Sequence, residues 1–295
     1  MKKNILYRLI FIFLLLSFMA CQEDDIDTSK SVITIDEGVE NDFDKYIQHV
    51  YTAPYNIQFL YRWDDIESDM DYALVPANYE NSIKMANLVK YLCLDAYDEV
   101  APKNFLKQYF PKMLMMVGSP AYNNDNTMVL GTAEGGMKIT LYNINNLDVT
   151  NTELLFRYYF RTIFHEFSHI LHQTRDFTTD FDRISATEYV GDSWSRAWGA
   201  GEALQAGFIS DYSSKEADED FVELIAHYIT NDSTAWADKM TTAGDDGKAI
   251  IDQKMGIVSS YLSEMWAIDI EALRSEILDR TANLDAQDLD NITIE

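Results

Sequence analysis

Cysteine is nearly absent from this chain. Cys21 and Cys93 are the only two in 295 residues, so no disulfide framework holds the fold and no cysteine cluster binds a metal. Proline is scarce: four of the five fall between Pro54 and Pro111, leaving long helices free to run through the second half. Basic side chains are also few, 23 Lys and Arg against 49 Asp and Glu, for a formal net charge of −26. Such a balance offers no basic patch, which argues against nucleic acid or anionic lipid as a partner. A solvated acidic surface accounts for that charge without reference to any substrate. The chain from 41 to 295 carries no internal repeat and no low-complexity linker.

A long apolar run occurs at the start. "MKKNILYRLIFIFLLLSFMAC" opens with Lys2, Lys3 and Arg8 and turns apolar from Leu9 to Leu16. A basic region followed by an apolar stretch too short to span a bilayer comfortably predicts a signal peptide over residues 1–20. Ala20 directly before Cys21 resembles a bacterial lipobox, with Phe18 standing where Leu, Val or Ile is usual. The spacing predicts lipidation of Cys21; ordinary cleavage near Ala20 is the alternative. "CQEDDIDTSK" then resembles the surface-export signal of Bacteroides-type lipoproteins, and residues 21–40 read as an acidic flexible tether.

Beyond the first 20 residues about 275 remain, enough for one large domain or two small ones, with 47% hydrophobic and 13% aromatic content in the chain to pack a globule. "YNIQFLYRW" (55–63) alternates Ile57, Phe59, Tyr61 and Trp63 on one face, a strand pattern, and "KMLMMVGS" (112–119) reads as a buried strand. A third strand is expected from about Met137 to Ile144, after the Gly-rich "AEGG" turn. "ENSIKMANLVKYLCLDAY" has helical spacing and should bury Cys93 as a core thiol. From Thr150 the pattern is helical. Thr150 and Glu153 stand in capping-box spacing, opening a helix to about Thr174. Further helices are expected near 187–206, 216–230, 248–264 and 268–282. Strands first and helices afterwards predict an α+β fold, an α/β part over 41–149 and a helical part over 150–295 within one domain.

"FHEFSHILHQ" (164–173) holds three of the five histidines. His165 and His169 are four residues apart, about 40° around the helix and one turn along it, so both imidazoles reach one ion. Glu166 sits about 100° from His165. Its carboxylate falls beside the metal rather than on it, where it can take a proton from water that zinc has acidified. A catalytic zinc needs a third protein ligand. His172 lies a further turn away on the same helix, too far to share the ion easily. The metzincin pattern fails because Arg175 stands where its third histidine belongs. The acids of "ADEDFVELIAHYIT" (217–230) are better placed: Glu219 and Glu223 are four apart on one helix face, whereas Glu202 and Glu188 lack a paired acid. His227, one turn after Glu223, reads as structural.

"EDFVE" resembles the E-G-F-A-E run of zinc aminopeptidases and the E-F-F-A-E run of lethal-factor-type toxins. That gluzincin resemblance implies Glu219 as the zinc ligand, with Glu223 holding a ligand histidine and also serving as the fallback ligand. His172 is left beside a ligand, facing substrate or packed. Tyr212, seven residues before Glu219, has the offset of the lethal-factor-type oxyanion tyrosine. In zincins an edge strand beside the motif helix pairs with an extended substrate. "MKITLYNI" is expected to be that strand, which makes Glu134, Lys138 and Thr140 candidate substrate contacts. More widely, "YNIQFLYRWDD", "GSPAY", "LGTAEGGMKITLYNIN", "HEFSHILHQ", "GFISDY" and "EDFVE" follow in the order and spacing of the substrate import-associated zinc metallohydrolase lipoproteins. The resemblance covers about residues 45–230. It implies a zincin-like domain with one zinc per chain, anchored by lipid in the outer membrane and facing outward. It also implies association with a TonB-dependent transporter and its substrate-binding lipoprotein.

Two functions follow. One is a surface zinc peptidase: His165, His169 and Glu219 bind zinc, Glu166 is general base, Tyr212 stabilises the oxyanion, and the substrate is a peptide or protein. The other is a non-catalytic, zinc-containing assembly subunit of an importer. Glu166 and Tyr212 speak against the second, because a closed structural site has no use for a base.

Overall fold

The computed structural model describes residues 40–293 apart from 65, 70, 123–127, 130 and 135–136. The expected signal peptide (1–20), Cys21 and the expected tether up to residue 39 lie outside the described residues. Asn41–Glu295 form one compact unit.

A four-stranded sheet carries the first half. Its strands are β1 (Gln58–Leu60), β2 (Met113–Met116), β5 (Gly131–Glu134) and β6 (Lys138–Leu141), in the order β1-β2-β6-β5. The first three in that order are parallel, with Phe59 opposite Leu114 and Leu114 opposite Ile139. The last pair is antiparallel, with Thr132 opposite Thr140. A separate two-stranded ribbon joins β3 (Ala121–Tyr122) to β4 (Met128–Val129). Helices α1 (42–55), α2 (79–100) and α3 (Phe105–Tyr109) complete this half.

The expected strand "MKITLYNI" exists, but it is not an edge. β6 is hydrogen-bonded on both sides, because the segment before it folds back as β5 and takes the outer position. Lys138 and Thr140 are buried, and the Lys138 ammonium lies 2.9 Å from the Glu67 carbonyl and 3.2 Å from its carboxylate. Neither residue therefore offers the open backbone that strand addition requires. Glu134 ends β5, the open edge; its side chain lies outside the described residues.

The second half is built on helix α4 (152–174), which contains a π-helical turn at Phe156–Phe160 just before the motif. The expected capping box does not form. Thr150 bonds Asp148 instead, and Asn151 caps the helix by accepting from the Leu154 amide. One face of α4 places Phe160, Phe164 and Phe167 at helical spacing in the core, against Tyr97, Phe105 and Phe110. Each buried phenylalanine contributes roughly 1.5–3 kcal/mol of transfer free energy. The neighbouring face, with His165, His169 and His172, turns toward α8 (Ala217–Thr230), which packs against α4.

The expected helix at 187–206 is broken. After α5 (Asp180–Ile184), the chain makes only short turns, α6 (Trp194–Ala197) and α7 (Glu202–Gln205). Gly201 between them has φ +80°, a left-handed conformation that no helix interior contains. The helix expected from 248 starts earlier: α9 runs Ser233–Trp266 with a kink at Gly244. It is followed by α10 (Ile270–Ala282). Cys93 is buried in the main core, which joins residues from α1 to α10 and thus unites both halves. No helix among the described residues is long and apolar enough to cross a membrane.

Candidate metal centre

α8 is buried along most of its length even though its first turn is acidic, Asp218, Glu219 and Asp220. Negative charge suits a helix N-terminus, and each buried acid finds its own partners. Glu219 turns to the histidines of α4. Asp220 turns the other way, to Lys254 of α9 at 2.6 Å and the Tyr189 hydroxyl at 3.0 Å. Glu223, one turn on, meets His165, Ser210 and His227.

The two motif histidines are oriented from behind. His165 directs Nδ1 to Glu223 Oε1 at 2.9 Å. His169 directs Nδ1 to His172 Nε2 at 2.9 Å. Their rings stand 4.8 Å apart between centroids, nearly perpendicular. Both Nε2 atoms then face one oxygen, Glu219 Oε2, at 3.2 Å each. His172 is buried against Phe177 and Phe221, and burial pushes its pKa down, so the neutral ring braces His169.

This donor set fits a metal ion. With Nδ1–H given to Glu223, the neutral His165 ring has only a lone pair at Nε2, and it points at a carboxylate lone pair. Such a contact is repulsive unless positive charge lies between the two atoms. A proton on His165 can supply that charge as a metal would: burial works against a charged ring, yet hydrogen bonds to Glu219 and Glu223 outweigh it and lift the pKa to about 10. Burial likewise opposes ionised Glu219, and hydrogen bonds from His165, His169 and Lys215 reverse that and hold its carboxyl far below the usual range. The spacing fits as well: two ligands on a tetrahedral zinc, with bonds of about 2.0–2.1 Å, stand roughly 3.3 Å apart.

Glu166 shares the locality, since His165, Glu166 and His169 offer ligand atoms within 4.8 Å of one another. Two carboxylates thus compete for the third position. Glu219 is the better fit, because one of its oxygens lies the same short distance from both Nε2 atoms. No hydrogen bond or ion pair within the described residues engages the Glu166 carboxylate. Burial raises its pKa, with the histidines pulling the other way.

The loop before α8 closes the arrangement. Gly207, at φ +87° and against Ile250 of α9, turns the chain into "FISDY". Ser210 Oγ donates to Glu223 Oε2 at 2.6 Å, and the Tyr212 hydroxyl donates to Glu219 Oε1 at 2.8 Å. Burial and the Glu219 charge push the Tyr212 pKa up, so the phenol keeps its proton. Lys215 Nζ also donates to Glu219 Oε1, at 2.8 Å. His227 lies 3.3 Å from Glu223 Oε2, with its pKa pulled down to about 4 by burial. Sequence reasoning missed Ser210 and Lys215. The spacing of Lys215, four residues before Glu219, was a signal for the second; nothing local marked the first.

An α+β domain presenting a His-Glu-x-x-His helix and a carboxylate from a second helix to one point has the form of a zincin-like metallopeptidase. The family described as "Putative zinc-binding metallo-peptidase" matches residues 36–271, and the chain belongs to it. The structure is similar to the crystal structure of a "putative zinc-binding metallo-peptidase" from Bacteroides caccae. The TM-score is 0.77 at 39% identity, over 89% of this chain and 100% of that one. Among curated proteins none matches.

Proposed function

We propose that the chain is a gluzincin-like zinc peptidase that hydrolyses peptide bonds outside the cell. The observation that carries the reading is the convergence of His165 Nε2 and His169 Nε2 on Glu219 Oε2, at 3.2 Å each. His165, His169 and Glu219 would hold one zinc, which when bound would acidify water and polarise the scissile carbonyl. Glu166, which no hydrogen bond among the described residues restrains, takes the proton as the water oxygen attacks the carbonyl carbon. It passes that proton to the leaving amine as the C–N bond breaks. Tyr212 donates its hydroxyl proton in a hydrogen bond to the developing oxyanion. The peptide itself lies along β5, the open edge of the sheet, whose strand contacts α4.

Metal analysis and peptide digestion test this. The purified protein is expected to hold one zinc per chain, and Glu166→Gln to keep the zinc while hydrolysis of a peptide library falls by about 10²–10⁴. Full activity in Glu166→Gln refutes Glu166 as the base, whereas absence of stoichiometric zinc together with no hydrolysis by the native protein refutes the peptidase. In that event the non-catalytic assembly subunit becomes the better account.

Location and partners extend the proposal. A lipid on Cys21 would anchor the domain in the outer membrane through the tether of residues 21–40, facing outward beside a TonB-dependent transporter and its substrate-binding lipoprotein. Supporting this are the basic-then-apolar start, Ala20-Cys21 and the acidic run that follows. Cys21→Ala should release the protein from the membrane fraction, and protease added to intact cells should degrade the native chain. Purification from lightly cross-linked membranes should bring the transporter with it.

A further inference from the structure

The two oxygens of Glu219 have different tasks. Oε2 faces both imidazoles. Oε1 accepts two hydrogen bonds, from the Tyr212 hydroxyl and from Lys215 Nζ, each at 2.8 Å. Lys215 lies just before α8, four residues ahead of Glu219, and its Nζ also stands 3.2 Å from Glu216 and 5.5 Å from the centre of the Tyr212 ring. The peptidase mechanism gives it no role.

Two consequences follow from that geometry. A carboxylate that swings can bind an ion through both oxygens and fill a position that water and substrate need. Swinging Glu219 would break two charge-assisted hydrogen bonds at once, the one from Lys215 being an ion pair as well. The second consequence concerns Tyr212. Its hydroxyl cannot serve an oxyanion while it serves Glu219. When it leaves, a buried carboxylate oxygen left without a donor would carry the full desolvation penalty. Lys215 remains on that oxygen, so the exchange is cheap. We infer that Lys215 is a positioning residue: it holds Glu219 to the metal through Oε2 alone and frees the Tyr212 hydroxyl for the substrate. This rests on the reading of Glu219 as a zinc ligand.

The test uses the full chain in its zinc form and with cobalt(II) in place of zinc. Zinc affinity is read by competition with a chelator, and coordination number from the cobalt visible spectrum. Lys215→Met is expected to weaken zinc about tenfold and to shift the cobalt spectrum toward the weaker bands of a five-coordinate ion. Lys215→Arg, which keeps a charged donor, should restore both. With a peptide substrate, Lys215→Met should lower kcat more than it changes KM. A merely structural lysine would lower the melting temperature and leave the cobalt spectrum as it was. Native zinc affinity with an unchanged spectrum in Lys215→Met overturns the inference. Glu219→Ala separates the two failures. If it loses zinc while Lys215→Met does not, the lysine role alone falls. If Glu219→Ala keeps zinc at native affinity, the ligand assignment falls and the lysine role with it.

Discussion

His165 Nδ1 meets Glu223 Oε1 at 2.9 Å across 58 residues of chain. That one contact decides which nitrogen of His165 faces the centre, because a ring whose Nδ1–H is given away has only Nε2 to offer. A carboxylate behind a metal-binding histidine fixes its tautomer and raises its basicity.

Glu223→Gln keeps the size of the side chain and removes its charge. It is expected to weaken zinc binding by about 10–100-fold, measured by chelator competition. Because Ser210 and His227 also bond this carboxylate, the amide must satisfy three neighbours with only one acceptor oxygen. Unchanged zinc affinity in Glu223→Gln would show that Glu223 does not act through His165.

Lys254 and Asp220 form a fully buried pair at 2.6 Å, and Lys254 also donates to the Gly207 carbonyl at 2.8 Å. Burial pushes Asp220 up to about 6 and Lys254 down, both against their mutual attraction. One oxygen of Asp220 has no hydrogen-bond partner among the described residues. Lys254→Met would leave the carboxylate in the core with its charge unpaired and only the Tyr189 hydroxyl on it, at a cost of about 3–5 kcal/mol. Adding Asp220→Asn should return most of that loss, since the uncompensated charge is then gone. Urea denaturation of the two variants checks both statements, and equal stability of the single and double variants would contradict the second.

Ala267 ends α9 at φ 54°, ψ 38°, with its amide on Ser263 and that of Ile268 on Leu262. The two bonds form a glycine-type helix end built on an exposed alanine. The left-handed region costs a residue with a Cβ about 1–2 kcal/mol. Glycine gives back part of that gain through its freer unfolded chain. Ala267→Gly is therefore expected to stabilise the protein by about 0.5–1 kcal/mol, seen as a higher thermal midpoint with zinc binding unaffected. A lower midpoint would show that the cap is not strained.

How far the sequence could be read depended on how local each feature is. Helical phase is local, so His165, Glu166 and His169 could be placed on one helix from their spacing, and Glu219 and Glu223 on one face of another. Strand existence was equally legible, since Ile57, Phe59 and Tyr61 alternate and are buried, but β1 covers only Gln58–Leu60 of the expected 55–63 and Tyr55 still belongs to a helix. Strand neighbours were not, because the position of β6 inside the sheet depends on β5 folding back beside it. The helix expected at 187–206 also failed, where apolar spacing pointed one way and Gly201 the other.

By itself, then, the sequence determined the chemistry on offer: two imidazoles four residues apart, a base beside them, and acids on a later helix. Tertiary structure alone decided how those groups are used. Packing of α4 against α8 brings Glu219 Oε2 to 3.2 Å from both imidazoles. The Gly207–Lys215 loop puts Ser210, Tyr212 and Lys215 on the carboxylates of Glu223 and Glu219, and none of the described residues hydrogen-bonds the Glu166 carboxylate. The physical reason is that a hydrogen bond fixes direction only once both partners are in place, and these partners stand up to 58 residues apart in the chain.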